Sequence, residues 1–335
     1  METKILKIKT LSDIDISYPC KVIKSGGLVA FPTETVYGLG ASASNGEAVD
    51  KIFKVKGRAK DNPLIVHVAF VDTLYEIGEV NEKYRKVIEQ ITPGPITFVI
   101  RKKASFPKNV TASLNTVGVR IPAHPVARKL CEYAGPIAAP SANLSGKPSP
   151  TDASAVIEDL FGKIECIIDA GNTPFGIEST IIDLSGDIPI ILRPGPITIE
   201  KLHELFGEVI IPDFVKNAKT VETPKAPGMK YRHYAPEKPV YIFERKNRKK
   251  IIEIAHKEKG VILCPKEHKR FYPGDMVVVL GSLENPYTIA QNLFRLLRQI
   301  DKMDFQIAYV EKLEERGILF SVMNRLKKAG LEVKL

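Results

Sequence analysis

Proline sets the first constraint on this chain. Between residues 207 and 237 it recurs in Ile211-Pro212-Asp213 and in Thr223-Pro224-Lys225-Ala226-Pro227-Gly228. A proline ring removes an N–H and clashes with the preceding turn, so neither a helix nor a central strand tolerates that density. The stretch 207–237 therefore reads as a long extended linker between two foldable units, 1–206 and 238–335. Linkers of this length are uncommon inside compact domains and often carry function.

The two flanking units differ in pattern. In the first, short apolar runs suited to strands occur at 28–31, 64–69, 97–100, 117–121, 166–168, 181–184 and 190–192, with helical patterns between some of them. The clearest helix is expected to start at Ser44, whose hydroxyl would cap it while Glu47 reaches back. Val49, Ile52 and Phe53 then share one face. Further helices are expected near 125–133, 153–161 and 199–206. The second unit alternates more cleanly, with strands at 240–243, 261–264, 277–280 and 307–310 and helices at 249–256, 288–300 and 319–328. Such alternation predicts a smaller, Rossmann-like parallel α/β domain.

With 335 residues, 44% of them hydrophobic, the chain has enough apolar material for a sizeable core. No apolar run reaches the roughly 18 residues that would suggest a bilayer span. The opening Met1-Glu2-Thr3-Lys4-Ile5-Leu6 lacks the apolar stretch of a signal peptide. A cytoplasmic protein with no membrane partner is the expectation. Cys20, Cys131, Cys166 and Cys264 lie far apart, without the paired spacing of a zinc ribbon or a disulfide framework. The 49 Lys and Arg against 39 Asp and Glu give a net charge of +10. That balance suits polyanions, nucleotides and RNA alike.

Two phosphate-binding motifs fail on inspection. Gly171–Gly176 has the spacing of a P-loop, but Ile177-Glu178 stand where lysine and a hydroxyl are needed. Gly38-Leu39-Gly40 imitates a dinucleotide fingerprint, yet the next helix starts too late to meet a pyrophosphate. A nucleotide site here has to be built another way.

Four strings carry more polar and basic residues than a core needs. They are Phe31-Pro32-Thr33-Glu34-Thr35-Val36-Tyr37-Gly38-Leu39-Gly40, a strand end running into a Gly-rich turn; Lys56-Gly57-Arg58 with Asn62; Gly118-Val119-Arg120-Ile121-Pro122; and Ala139-Pro140-Ser141-Ala142-Asn143-Leu144-Ser145-Gly146. On these strings the chain resembles the Sua5/YrdC family of threonylcarbamoyl-AMP synthases, with Lys56 and Arg58 as its K-x-R and Ser141 and Asn143 as its S-x-N. The likeness continues through Met323-Asn324-Arg325-Leu326, so it covers nearly the whole chain, in the two-domain Sua5 form rather than the short YrdC form. It implies a twisted mixed-sheet YrdC-like domain followed by the Sua5 C-terminal domain.

The resemblance also implies an activity. L-Threonine, bicarbonate or CO2, and ATP would become threonylcarbamoyl-AMP and pyrophosphate, a nucleotidyl transfer serving the threonylcarbamoyl-adenosine of tRNA. It implies ATP contacts from Lys56, Arg58, Asn62, Thr116, Ser141, Asn143, Ser149 and Arg193. Lys56 and Arg58 would also stabilise the transition state, since arginine can hold a phosphate in two hydrogen bonds and lysine adds a point charge. Tyr231 and Arg232 of the linker would fold over the active site and close on ATP. Threonine would be met by Thr35, His67, Arg120, Ala139 and Ser179, with Arg120 on its carboxylate. Magnesium is expected with the ATP, its protein ligands unassigned, and no organic cofactor is implied. Partners would be the transferase machinery that passes the product to tRNA, together with weak binding of tRNA itself.

Residue by residue, plainer readings stand beside these. Lys56 and Arg58 also suit a helix C-terminus, His67 a satisfied core histidine, and 141–149 an ordinary surface turn. At the level of the whole chain, the basic charge also fits an RNA-binding module without ATP turnover. A carbamoyltransferase of the hydrogenase-maturation type ranks behind both, because its cysteine-rich zinc regions have no counterpart here.

Overall fold

The computed structural model describes residues 1–222, 224–230 and 234–333. Among them, the first unit forms one mixed sheet of eleven strands, and the second a five-stranded sheet.

The middle of the larger sheet positions the site. Its strands run, side by side, Val29–Phe31, Gly38–Ser42, Ile137–Ala138, Ile65–His67, Thr116–Arg120, Ile96–Lys102 and Thr180–Asp183. Ile65–His67 is parallel to Thr116–Arg120, with His67 registered on Arg120, and antiparallel to Ile137–Ala138. Apolar side chains from these strands, with Val49, Ile52 and Phe53 of the helix Gly46–Lys56, close the first core.

Two local expectations are corrected. The helix is capped by Asn45, whose side chain accepts from the Ala48 amide, and not by Ser44. Ser44 instead shares a hydrogen bond with the Ser42 hydroxyl at 3.0 Å, so the amide oxygen one residue later wins the cap. The Gly-rich stretch expected as a turn is the strand Gly38–Ser42. Its glycine content reflects crowding, for a Cβ at Gly40 would lie 2.6 Å from Ile137 and 2.7 Å from Phe31.

The smaller sheet is wholly parallel, in the order Val277–Val279, Gly260–Cys264, Ile307–Glu311, Val240–Phe243 and Leu331–Glu332. Helices Arg248–Lys257, Tyr287–Ile300 and Gly317–Ala329 alternate with its strands, as the sequence pattern predicts. Residues between the two sheets are not wholly extended. They include the short helix Asp213–Lys216, and Val209 and Val215 are buried in the first core.

The units meet over a seam of both apolar and ionic contacts. Val36, Ile177 and Tyr234 join the core built by Ile289, Leu293 and Phe294 of the second unit. Gly176 lies so close to helix Tyr287–Ile300 that an added Cβ would stand 2.4 Å from the Gln291 backbone. That contact, rather than a phosphate, accounts for the glycine that ends the rejected P-loop look-alike. Arg298 pairs with buried Asp159 at 2.7 Å and donates to the Pro148 carbonyl at 3.0 Å.

Candidate active site

One cavity gathers most of the residues singled out in the sequence. It is lined by Thr35, Lys56, Arg58, His67, Arg120, Ala139, Ser141, Asn143, Ser149, Ser179 and Arg193, with Lys147, Glu178, Gly228 and Tyr234 among their neighbours. Thr116 and Asn62 do not line it. Thr116 lies four residues before Arg120 on the same strand. Asn62 lends its main-chain carbonyl to Arg58 at 3.2 Å, while its own side-chain amide is buried without a partner. Tyr231 and Arg232 lie outside the described residues.

Lys56 is placed by the end of its helix. Gly57 takes the left-handed conformation at φ 62° and closes the helix, so the chain turns back and the Arg58 amide returns to the Phe53 carbonyl at 2.9 Å. The Lys56 ammonium donates to the carbonyls of Ser141 and Asn143, tying the two motifs together. The Ser145 amide returns a bond to the Lys56 carbonyl at 2.9 Å. Within the loop, Ser141 donates to Asn143 Oδ1 at 2.5 Å, and the Asn143 amide spans the carbonyls of Leu144 and Lys147. Burial, with the charge of Arg58, pushes the Lys56 ammonium well below its usual value. Burial disfavours its charged form, and an anion bound beside it would favour that form again.

At another part of the cavity, strand register sets Arg120 beside His67. Arg120 Nη1 donates to the Thr35 hydroxyl at 2.9 Å. Its Nη2 stands 2.7 Å from Glu34 Oε1, but out of line, so this buried N–H makes no hydrogen bond. It is nonetheless a buried ion pair, and a guanidinium held this way at the cavity wall can also turn its fork to a carboxylate. His67 is buried with Nδ1 unpaired, and burial followed by the Arg120 charge lowers it to about 3, so the imidazole is neutral. Ser179 is held from two sides: Arg193 donates to its carbonyl and to its hydroxyl, each at 3.1 Å, and its hydroxyl meets Thr97 at 2.8 Å.

Glu178, Tyr234 and Arg325 were not singled out from sequence. Glu178 receives the Ser149 hydroxyl on Oε1 at 2.6 Å and Arg325 Nε on Oε2 at 3.2 Å. Tyr234 stacks on Phe294 with ring centroids 5.0 Å apart and reaches the cavity from the linker. Glu178 is the neighbour of Ser179 in one matched string and Arg325 lies inside another, so both were in view, but nothing local shows that they pair.

Among the described residues, five lining the cavity are cationic (Lys56, Arg58, Arg120, Lys147 and Arg193), against one carboxylate, Glu178. The cavity is therefore built for anions. No cluster of three or more His, Cys, Asp or Glu among the described residues could hold a metal ion. Glu178 is already taken up by Arg325 and Ser149, so these side chains do not make a magnesium site of their own.

A wider cleft of about 730 Å³ opens beside the second sheet, where Arg245, His268 and Glu311 are linked in a row at 2.7 and 2.6 Å. None of the described residues singled out in the sequence lines it.

With this geometry in hand, similarity to known proteins is decisive. A Sua5/YciO/YrdC family model, described as telomere recombination, matches residues 21–195. A second model, described as threonylcarbamoyl-AMP synthase, C-terminal domain, matches residues 197–330. The chain belongs to the Sua5/YrdC family. Among Sua5 relatives, the threonylcarbamoyl-AMP synthase of Pyrococcus abyssi is 47% identical over 319 residues, 92% of each chain. That of Bacillus subtilis is 41% identical over 328 residues, 95% of this chain and 94% of the other. The crystal structure of P. abyssi Sua5 complexed with L-threonine matches with a TM-score of 0.90 at 42% identity, over the full length of both chains. The two-domain architecture of this Sua5 chain is thus shared from end to end.

Proposed function

We propose that this chain is an L-threonylcarbamoyladenylate synthase, a nucleotidyltransferase that joins L-threonine, bicarbonate or CO2, and ATP, releasing pyrophosphate. The observation that carries this reading is the junction made by Lys56: the K-x-R lysine is bonded into the S-x-N loop, and both border the same cavity as Arg120 and His67. Relatives alike over nearly the whole chain are named for this activity, and one was solved with L-threonine.

In this reading Arg120, steadied by Glu34 and Thr35, takes the threonine carboxylate with its guanidinium fork. Thr35, Ala139 and Ser179 line the threonine side, with neutral His67 as a hydrogen-bonding group rather than a cation. Threonine's amine captures CO2 as a carbamate and loses a proton. A carbamate oxygen then attacks the α-phosphorus in line, and pyrophosphate leaves. Transfers of this kind depend mainly on positioning and on neutralising charge. Lys56 and Arg58 supply that charge, and Ser141, Asn143, Ser149 and Arg193 complete the nucleotide contacts. Magnesium travels with the triphosphate, held by phosphate oxygens and water. No step is assigned to it.

At about 70 Å³ the cavity is far below the roughly 300 Å³ or more of ordinary ligand pockets. Pro227, Gly228 and Tyr234 of the linker border it, so the linker parts to admit ATP and closes again to keep water from a labile adenylate. The product passes to the transferase machinery that modifies tRNA in the cytoplasm, with weak direct binding of tRNA by the basic surface.

The test is pyrophosphate release from ATP and bicarbonate, with threonine, with serine, or with neither. Threonine-dependent release and a labile adenylate of the right mass support the synthase. Firm, salt-sensitive tRNA binding without release would favour an RNA-binding module instead.

A further inference from the structure

Ser149, Glu178 and Arg325 form a hydrogen-bonded line from the cavity to the second unit. Ser149 donates to Glu178 Oε1 at 2.6 Å, and Arg325 Nε donates to Oε2 at 3.2 Å. All three residues are buried, Arg325 completely. Arg325 also donates to the Pro194 carbonyl, which fixes its fork. Burial by itself would raise the Glu178 carboxyl, but Arg325 and then Arg193 outweigh it and hold the group below its ordinary value. An ionised carboxylate accepts hydrogen bonds and never donates one. The single hydroxyl proton of Ser149 is therefore committed to Glu178. What Ser149 can offer to a ligand in the cavity is a lone pair.

That polarity limits which part of a nucleotide Ser149 can meet. Phosphate oxygens are acceptors, and an acceptor set against them leaves both groups unpaired. The donors of ATP are its ribose hydroxyls and the amino group of its base. Resting on the reading that Ser149 touches ATP, we propose that Arg325 and Glu178 are positioning residues that fix Ser149 as the acceptor for a nucleoside donor. A residue of the second unit then sets nucleotide selectivity in a cavity of the first.

Titration calorimetry tests this without requiring turnover. The ligands are ATP, 2′-deoxy-ATP, 3′-deoxy-ATP and inosine triphosphate. The proteins are the wild type, Ser149→Ala, Arg325→Lys and the double variant Glu178→Gln/Arg325→Met. The wild type is expected to bind the analogue lacking the relevant donor about tenfold more weakly than ATP. The identity of that analogue distinguishes the 2′-hydroxyl, the 3′-hydroxyl and the amino group. In Ser149→Ala the discrimination falls to within about twofold. The double variant loses it too, because a glutamine amide can donate to Ser149 and release its proton. Arg325→Lys keeps the charge and the wild-type ratio. Melting curves report folding, and Glu178→Gln alone is the second route should the double variant not fold.

Unchanged ratios in Ser149→Ala would overturn the acceptor role of Ser149. Unchanged ratios in the Glu178 variants, with Ser149→Ala losing discrimination, would overturn the role of Glu178 and Arg325. A wild type that does not bind ATP would overturn both this inference and the synthase reading. A wild type that binds ATP but makes no adenylate would overturn the synthase reading alone.

Discussion

Arg325 Nε lies 3.2 Å from Glu178 Oε2 although the two residues are 147 apart in the chain and belong to different units. Glu178 and Arg325 are both buried, and the Arg325 side chain is wholly shielded from solvent. Removing one member of a buried ion pair leaves the other charge stranded. Arg325→Met is expected to lower unfolding free energy by about 3–5 kcal/mol. Denaturant unfolding of Arg325→Met beside Glu178→Gln/Arg325→Met checks this, and the double variant should recover a large part of the loss.

Lys56 holds the Ser141–Asn143 loop as well as facing the cavity, so its loss acts twice. Lys56→Met is expected to reduce kcat/KM for ATP by about a hundredfold, as loss of a preorganised charge does elsewhere. Lys56→Arg should not restore it, because a planar guanidinium cannot meet the two carbonyls as a single ammonium does in a buried site. Steady-state pyrophosphate release measures both variants, and near-normal turnover in either would remove Lys56 from this role.

Arg120 gives a separable effect. Arg120→Lys keeps the charge but not the fork that spans Thr35 and a carboxylate. The KM for threonine is expected to rise by about ten- to a hundredfold, with little change in the KM for ATP. Parallel titrations of the two substrates distinguish this from a general loss of structure, which would move both.

Stability should fall in acid in a way traceable to His67. Its folded value is about 3, below the 6.5 of an exposed histidine, so between these values the unfolded chain binds a proton that the folded chain does not. Stability from this group is complete above pH 6.5 and is lost as pH falls toward 3, by an amount on the order of 4 kcal/mol. His67→Gln should flatten that part of the profile. An unchanged slope in urea unfolding between pH 6.5 and 4 would count against a neutral, buried His67.

Gly176 has two reasons to remain glycine. It adopts φ 69°, and a Cβ would stand 2.4 Å from the Gln291 backbone. Gly176→Ala is expected to destabilise the protein by roughly 2–4 kcal/mol through strain and overpacking. Gly171→Ala is the control, since it shares a positive φ but meets nothing within 4 Å. Thermal melts of the pair separate backbone strain from the clash.

Periodicity read the second unit well, because a parallel sheet with intervening helices repeats one local pattern and each element announces itself. It read the edges of the first sheet poorly. Lys4–Lys7 carries charged ends, and its place beside Cys166–Asp169 is decided by a partner about 160 residues away. Gly38–Ser42 looks like a turn because crowding by Phe31 and Ile137, rather than backbone freedom, demands its glycines. At the site, matched strings pointed to many of the residues that line the cavity, Thr116 and Asn62 excepted. They did not identify who holds whom. The bonds from Lys56 to the S-x-N loop and from Arg325 to Glu178 depend on distances between segments, which no local window contains.

The contact between Glu178 and Arg325 also bears on whether the chain can be cut. The family models meet near residue 196, and a break there falls in a sensible place along the sequence. In space it would expose Val36 and Ile177 and leave Glu178 a buried carboxylate beside the cavity with its principal counter-charge gone. A fragment ending at that border would not be a smaller version of the same catalyst. Its nucleotide pocket would be left with Arg193 alone to offset Glu178, so modularity in the sequence does not extend to the electrostatics.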